Sequence, residues 1–303
     1  MEWPRDSKDW PHRERSRLVQ AGGLTWHVQV FDGPTPNAPV ALLLHGTGAS
    51  THSWREVAPL LVQRGHTVIA PDLPGHAFTG MPPGGVGAAQ LGMNGMARAL
   101  HALLQSLHAV PDLVVGHSAG AAIAIRMSLD GLIAPRRIVG INAAVLPLGG
   151  LAGSLFSPAA KLMAAAPLVP KLFAWRARHP AVLERLLEGT GSRLDPIGSA
   201  LYQRLVSDPA HAAGALAMMA NWNLPQLARD LPRLATPLDL MVGENDRTVP
   251  PAHGAQILDR LSPAARGARV GLAGLGHLAH EEAPARVVAE MLALARQGAI
   301  PGG

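Results

Sequence analysis

A short segment that joins a predicted buried strand to a predicted helix constrains this chain most. Residues 116–120 read Gly-His-Ser-Ala-Gly, directly after the apolar run at 113–115 and before a helix-like stretch at 121–129. In a sharp strand-to-helix turn of this kind the central serine takes unfavourable backbone angles, and small flanking residues let helix and strand pack closely. The pattern predicts Ser118 as a nucleophile, with an ordinary Gly-Ser turn as the alternative.

The acid that would complete such a site is predicted after a later buried strand. Residues 237–243 have the apolar pattern of that strand and lead into a polar turn that carries Glu244 and Asp246. The partners of a serine in this kind of turn follow in the order acid, then histidine. We predict Asp246 as the acid, with Glu244 as the alternative, and we expect Asp239 to cap or solvate its strand.

The base is predicted in the loop after the last strand. Residues 268–272 have the pattern of that strand, and the loop behind it ends in His277 before a helical segment. A histidine at this place can take the Ser118 proton and return it to the leaving group, while the acid fixes its tautomer. His280 is the alternative base, and we interpret it as a cap or surface histidine at the start of the helix.

Backbone donors for a developing oxyanion are predicted in the turn after another buried strand. Residues 40–44 have the strand pattern, and residues 45–48 read His-Gly-Thr-Gly, a flexible turn whose backbone can approach a substrate. We predict that the N–H groups of Thr47 and Ala119 form the oxyanion hole. His45 is interpreted as a residue that braces the loop, and a plain strand-to-helix turn is the alternative.

These segments together resemble the α/β-hydrolase family over nearly the whole chain. Residues 70–76 also look like the turn after that family's fourth strand, and Trp54 is positioned like an aromatic near the oxyanion loop. The resemblance implies an α/β fold with a mostly parallel sheet flanked by helices, and a site at the carboxyl ends of the strands. It favours a serine hydrolase of the carboxylic ester type. Ala77 departs from the family pattern, which favours glycine, and is expected to tighten its turn.

The alternation of strands and helices stops after residue 142 and resumes at 237, which predicts a helical cap inserted into the core. We divide the chain into a hydrolase core at 1–144 and 236–303 and a cap at 145–235. Helical periodicity dominates the cap, for example over 202–222. A cap at this point would roof the serine and shape the substrate pocket.

Large apolar side chains of the predicted cap have two interpretations. They either pack the cap onto the core or line a wide apolar pocket for a large hydrophobic ligand. The predicted substrate-binding residues are Phe156, Trp175, Met218, Met219 and Trp222, together with Trp54 of the core.

Longer strings give a narrower resemblance, to the BchO-type magnesium chelatase accessory proteins of bacteriochlorophyll synthesis. They lie at residues 10–16, 45–55, 116–122, 130–136 and 156–161. The resemblance implies a role near the insertion of Mg²⁺ into protoporphyrin in a photosynthetic bacterium, with magnesium chelatase subunits as candidate partners. It defines no reaction. Hydrolysis of an apolar, tetrapyrrole-like ester is the leading hypothesis, a non-catalytic porphyrin-binding or chelatase accessory protein is the alternative, and cofactor-free peroxidation or lyase chemistry is a third.

Composition excludes other classes of protein. The chain has no cysteine, which excludes disulfides, thiol catalysis and cysteine metal sites. Its 14 histidines lack the spacing of metal ligands and are expected to be scattered and solvated, so we expect neither a metal nor a cofactor. The formal charge of +5 is dispersed, and no module for binding nucleic acid is visible.

The ends and charges of the chain bear on its location. The first ten residues are charged and lack the apolar region of a secretory signal, so a cytoplasmic location is expected. No run of about 20 apolar residues predicts a transmembrane segment. Small basic clusters at 13–17 and 176–178 leave contact with an anionic membrane surface or an acidic partner open, and the stretch 151–170 leaves peripheral attachment open.

Overall fold

An eight-stranded sheet organises the chain in the computed structural model, which describes residues 1–147, 166 and 168–297. The strand order is β1-β2-β4-β3-β5-β6-β7-β8. The strands are β1 (Ser16–Ala21), β2 (Leu24–Phe31), β3 (Val40–Leu44), β4 (Thr67–Pro71), β5 (Pro111–His117), β6 (Arg137–Ile141), β7 (Leu238–Gly243) and β8 (Arg266–Leu272). The pairs β1–β2 and β2–β4 are antiparallel and the other five are parallel, which confirms the predicted mostly parallel sheet.

Helices cover both faces of the sheet, and others lie among the described residues between β6 and β7. They are α1 (Trp3–Asp6), α2 (Val57–Gln63), α3 (Met93–Ser106), α4 (Ala119–Leu129), α5 (Leu168–Ala177), α6 (Pro180–Thr190), α7 (Pro196–Val206), α8 (Pro209–Ala220), α9 (Leu224–Asp230), α10 (His253–Leu258), α11 (Ala279–Glu282) and α12 (Pro284–Gln297). Residues of α3 and α4 pack in one apolar core, and residues of α2 and α12 pack in the core on the other face. Because crossover helices bury both faces, the central strands have continuous apolar runs.

In the described part of the predicted cap lie five helices, α5 to α9. The stretch 202–222 is not one helix, because α7 ends at Val206 and α8 begins at Pro209. Proline suits the first turn of a helix, where its missing N–H costs nothing, and Asp208 before it accepts a hydrogen bond from the N–H of His211. The same Asp-Pro pair starts α7, where Asp195 caps Gly198.

Candidate active site

The turn between β5 and α4 has the strained geometry that the sequence predicts. Ser118 has φ 52° and ψ −117°, a conformation that disfavours residues with a Cβ. A Cβ on Gly116 would lie 2.4 Å from the Cα of Ala121, and one on Gly120 would lie 2.1 Å from the carbonyl oxygen of Leu44. Glycine is therefore required at both positions, and the serine stands at the carboxyl end of the central strand.

Asp246 and His277 are hydrogen-bonded to each other beside this turn. The Nδ1–H of His277 donates to Oδ2 of Asp246 at 2.8 Å, and both side chains are buried. The other carboxylate oxygen of Asp246 accepts the N–H groups of Thr248 at 2.7 Å and Val249 at 2.9 Å, which fixes the carboxylate. Glu244, the alternative acid, is exposed to solvent.

Asp239 does not solvate its strand, contrary to expectation. Its side chain has no exposed surface and forms an ion pair with Arg137 of β6. Its Oδ1 accepts the N–H of Ala268 at 2.8 Å, close to the register shift between β7 and β8. The residue is therefore a buried brace between three strands, because a carboxylate taken out of water needs compensating partners.

His117 connects the serine turn to the loop of His277. Its Nε2–H donates to the carbonyl oxygen of His277 at 2.9 Å, and the two rings lie 4.7 Å apart. Burial lowers the pKa of His117 well below its ordinary value, and the neighbouring His280 and His277 lower it further. The neutral imidazole of His117 thus lies between the proposed base and the interior. Through its hydrogen bond, His117 also positions the loop that carries His277.

His280 is not at the surface, so the interpretation of this residue was wrong. It is completely buried, its ring lies 4.5 Å from that of Trp54, and its Nε2–H donates to the Ser53 hydroxyl at 2.8 Å. Burial lowers its pKa to about 3, which keeps the ring neutral. The short helix α11 carries it inward rather than towards solvent, so His280 serves core packing.

Asn142 is a functional candidate that sequence reasoning missed. Its Oδ1 accepts the N–H of Gly243 at 2.7 Å, and its Nδ2 donates to the carbonyl oxygens of Gly276 at 2.9 Å and His277 at 2.8 Å. One amide thereby joins the strand that precedes the acid to the loop that carries the base. The available signal was a polar residue directly after the buried strand β6, which is where parallel sheets place their sites.

The turn after β3 lies directly against the serine. A Cβ on Gly46 would stand 3.1 Å from the Cβ of Ser118 and 2.8 Å from Nδ1 of His117. Ala119 is the first residue of α4, so its N–H has no acceptor within the helix. These backbone positions remain our proposal for the oxyanion hole, together with the N–H of Thr47, which follows Gly46.

Histidines brace this turn from two sides. The N–H of Leu73 donates to Nε2 of His45 at 2.9 Å, so the opposite nitrogen of His45 carries the proton and donates to the carbonyl oxygen of Gly46 at 2.7 Å. From the cap helix α8, His211 donates through Nε2–H to the carbonyl oxygen of Gly48 at 3.1 Å. The predicted bracing role agrees with these contacts of His45, and the cap takes part in the same turn.

The predicted substrate-binding residues lie in different environments. Met218 is buried and its Sδ accepts the Thr47 hydroxyl at 3.5 Å, Met219 beside it is half-buried, and Trp222 packs in the core under α3 and α4. The ring of Trp54 packs inside the other core and presents no surface to a ligand, and Trp175 is 64% exposed on the outside of α5. Phe156 lies outside the described residues.

A buried polar network fastens α7 to the core. Oε1 of Glu281 accepts the hydroxyls of Ser53 at 2.6 Å and Tyr202 at 2.8 Å, and Arg55 donates to its Oε2 at 3.3 Å. The same guanidinium contacts Asp195, the cap of α7, at 2.9 Å. Burial raises the pKa of Glu281 to about 7, although these donors act in the opposite direction.

The expectation of solvated histidines was wrong. Eight of the 14 are buried: His27, His45, His52, His76, His117, His211, His277 and His280. Within residues 1–147, 166 and 168–297, no three histidine, cysteine or acidic side chains are arranged to hold a metal ion. Across the same part of the chain, no helix combines the length and the hydrophobicity needed to cross a membrane.

Comparison with known proteins agrees with this architecture. A sequence profile described as the alpha/beta hydrolase family matches residues 41–290. The chain is 41% identical over 279 residues to the magnesium-chelatase 30 kDa subunit of Rhodobacter capsulatus, which covers 91% of this chain and 92% of the relative. Two solved structures are similar at identities that support the fold alone. They are an alpha/beta hydrolase fold protein from Burkholderia ambifaria (TM-score 0.73, 24% identity, 91% and 98% of the two chains) and a thermophilic esterase from Thermogutta terrifontis (TM-score 0.68, 22% identity, 92% and 99%).

Proposed function

The chain belongs to the α/β-hydrolase family, and from this premise we propose that it is a cytoplasmic serine hydrolase of bacteriochlorophyll synthesis that acts near magnesium chelatase. Its substrate class is an ester of a large apolar, tetrapyrrole-like molecule. The observation that carries the proposal is the hydrogen-bonded pair of Asp246 and His277 beside a serine held in a strained strand-to-helix turn.

The proposed reaction uses these groups in two steps. Ser118 Oγ attacks the ester carbonyl while Nε2 of His277 accepts its proton, and the backbone donors at Thr47 and Ala119 stabilise the oxyanion. The C–O bond of the ester breaks as His277 returns the proton to the leaving alkoxide. Water then attacks the acyl-serine, gives its proton to His277, and releases the acid as Ser118 regains its own. Asp246 stabilises the imidazolium that forms in each step.

The substrate class rests on the relative and on the side chains over the turn. The Rhodobacter relative is named as a magnesium-chelatase subunit, which makes a tetrapyrrole the natural ligand to test. The thioether of Met218 accepts the hydroxyl of Thr47, so an apolar, adaptable side chain lies next to the turn proposed to bind the oxyanion. We retain the cap at 145–235 and the core at 1–144 and 236–303 as the domain division, with Met218, Met219 and Trp222 as candidate substrate contacts.

Labelling with a fluorophosphonate tests the proposed nucleophile. Wild type is expected to react, Ser118→Ala is expected not to, and the matched control Ser106→Ala, at an exposed serine at the end of α3, is expected to react as wild type does. Hydrolysis of protoporphyrin methyl esters, followed by chromatography, then tests the substrate class. Absence of labelling in a folded wild-type protein would show that the serine is not activated and would reject the hydrolase.

A porphyrin-binding or chelatase accessory protein is the second candidate, favoured by the name of the Rhodobacter relative. Titration of the protein with protoporphyrin, its Mg²⁺ form and its methyl ester distinguishes the two. Tight porphyrin binding without labelling supports the accessory protein, whereas labelling with ester turnover supports the hydrolase. Conversion of a porphyrin without release of an acid would instead indicate lyase or peroxidation chemistry on the same residues.

A further inference from the structure

The outer face of α5 exposes a stripe of large apolar side chains. Leu168, Leu172 and Trp175 are 75%, 62% and 64% exposed, and their spacing of four and three residues puts them on one side of the helix. The opposite side of α5 is buried through Pro170 and Ala174, and the helix packs against α8. The stripe is therefore the exposed side of a helix whose other side packs inside the cap.

Basic side chains flank the stripe. At about 100° per residue, Lys171 lies roughly 60° to one side of Leu168 and Arg176 lies about 80° to the other, while Arg178 follows the end of the helix. All three are exposed, and none forms an ion pair with another of the described residues. Residues 131–183 contain no aspartate or glutamate. Glu184, on α6, is the next acidic residue along the chain, and it forms no ion pair with these basic residues. The surface thus combines apolar side chains with positive charge that no ion pair among the described residues neutralises.

We propose that this surface, the α5 face formed by Leu168, Lys171, Leu172, Trp175 and Arg176, docks on an anionic lipid bilayer. Apolar side chains with a tryptophan enter the headgroup boundary, while long basic side chains reach lipid phosphates from the rim. Three apolar side chains on one ten-residue helix fall short of the roughly 800 Å² per partner of a stable protein interface. The charge and the small area therefore favour a membrane over a protein.

Docking through the α5 face would place the cap, rather than the sheet, against lipid. The helix behind it, α8, carries His211 and Met218, which contact the turn of Gly48 and Thr47. An apolar ligand that partitions into the bilayer would then be concentrated on the side of the molecule where the cap meets the site. This inference holds whether the protein hydrolyses its ligand or only binds it.

Vesicle flotation of the full chain tests the proposal. Wild type is compared on vesicles of phosphatidylcholine alone and of phosphatidylcholine with about 30% phosphatidylglycerol. The stripe variant is L168S/L172S and the rim variant is K171Q/R176Q/R178Q. The control R64Q/R98Q/R260Q removes the same charge from exposed positions on other helices and loops. Circular dichroism and thermal melting of each variant report whether the fold is retained.

Wild type is expected to float with anionic vesicles and to dissociate at about 0.5 M salt, because screening shortens the range of the attraction. The rim variant is expected to lose on the order of 100-fold in partitioning, at about fivefold for each basic residue near the surface. The stripe variant is expected to lose at least about tenfold, and the control should bind as wild type does. Brominated lipid should quench tryptophan emission in wild type and much less in Trp175→Phe.

Three results would overturn the proposal. The first is that folded wild type does not float with anionic vesicles at low salt. The second is that the stripe and rim variants float as well as the control does. The third is that wild type ignores lipid but forms a dimer, or a complex with a purified chelatase subunit, that L168S/L172S abolishes, in which case the α5 face is a protein interface.

Discussion

Acidification from pH 7.5 to pH 5.5 is expected to destabilise this protein strongly, because the interior holds imidazoles that remain neutral. Burial lowers the pKa of His52, His76 and His117 well below the ordinary value of 6.5. It lowers that of His211 to about 4 and that of His280 to about 3. In the unfolded chain each of these residues takes up a proton near its ordinary pKa.

The sign and size follow from proton linkage. Between the folded and unfolded pKa values the unfolded state binds more protons, so stability falls as the pH falls below about 6.5. A histidine that stays neutral in the folded state costs on the order of 1 kcal/mol between pH 7.5 and pH 5.5, as expected for His211 and His280, and the three other histidines act in the same direction. Glu281 opposes this: its pKa rises from 4.5 to about 7 on folding, so the unfolded chain loses its proton first as the pH rises. Because the folded state binds this proton more tightly, Glu281 raises the free energy of unfolding by about 2 kcal/mol between pH 7.5 and pH 5.5.

Five histidines oppose the single glutamate, so the net change is a loss on the order of a few kcal/mol, a large part of the stability of a typical domain. Urea unfolding followed by circular dichroism at pH 7.5, 6.5 and 5.5 measures it directly, with the slope m checked for constancy. His280→Gln should reduce the loss by about 1 kcal/mol relative to wild type. The control His179→Gln, at an exposed position, should not. A change below about 1 kcal/mol across the two pH units would refute the account of buried neutral histidines.

Three further substitutions probe the site and its supports. Gly46→Ala places a Cβ against Ser118, so fluorophosphonate labelling should slow by about 100-fold, and an unchanged rate would contradict the predicted oxyanion turn. Asn142→Ala leaves the Gly276 carbonyl and the Gly243 N–H without partners and removes one of two donors to the His277 carbonyl, which should cost about 1–3 kcal/mol in urea unfolding and slow labelling in parallel; retention of both would remove Asn142 from the site. Tyr202→Phe removes a donor to Glu281 and should cost about 1.5–3 kcal/mol, whereas no loss of stability would mean that the network does not fasten α7.

Local sequence signals predicted the frame of the molecule because each depends on a short stretch of chain. The bounds of β3 match the strand predicted at residues 40–44, and the β1–β2 hairpin turns at Gly22 and Gly23, both with positive φ. The elbow at Ser118 likewise needs only its own strand, helix and two glycines. Periodicity and turn chemistry are local properties, and so they can be read without the fold.

Features that depend on tertiary contact could not be predicted in this way. His280 follows His277 by three residues, but only the packing of α11 against Trp54 decides that it is buried. Asn142 gains its importance from Gly243 and His277, which lie more than 100 positions later in the chain. Asp208 and the proline after it are a local signal for the break between α7 and α8. The helical periodicity of 202–222 nevertheless favoured one continuous helix.

The backbone at Ser118 bears on the choice between a hydrolase and an accessory protein. A residue held at φ 52° and ψ −117° stores strain of order 1–3 kcal/mol, and porphyrin binding alone requires no such strain. Ser118→Gly should therefore raise the unfolding free energy by about 1 kcal/mol where Ser118→Ala does not, since glycine relieves the strain but loses more chain entropy. If the glycine variant also keeps its porphyrin affinity and loses all fluorophosphonate labelling, the backbone strain at residue 118 is needed for the reactive serine and not for porphyrin binding. A glycine variant no more stable than the alanine variant would show that the turn is not strained, and this argument for catalysis would fail.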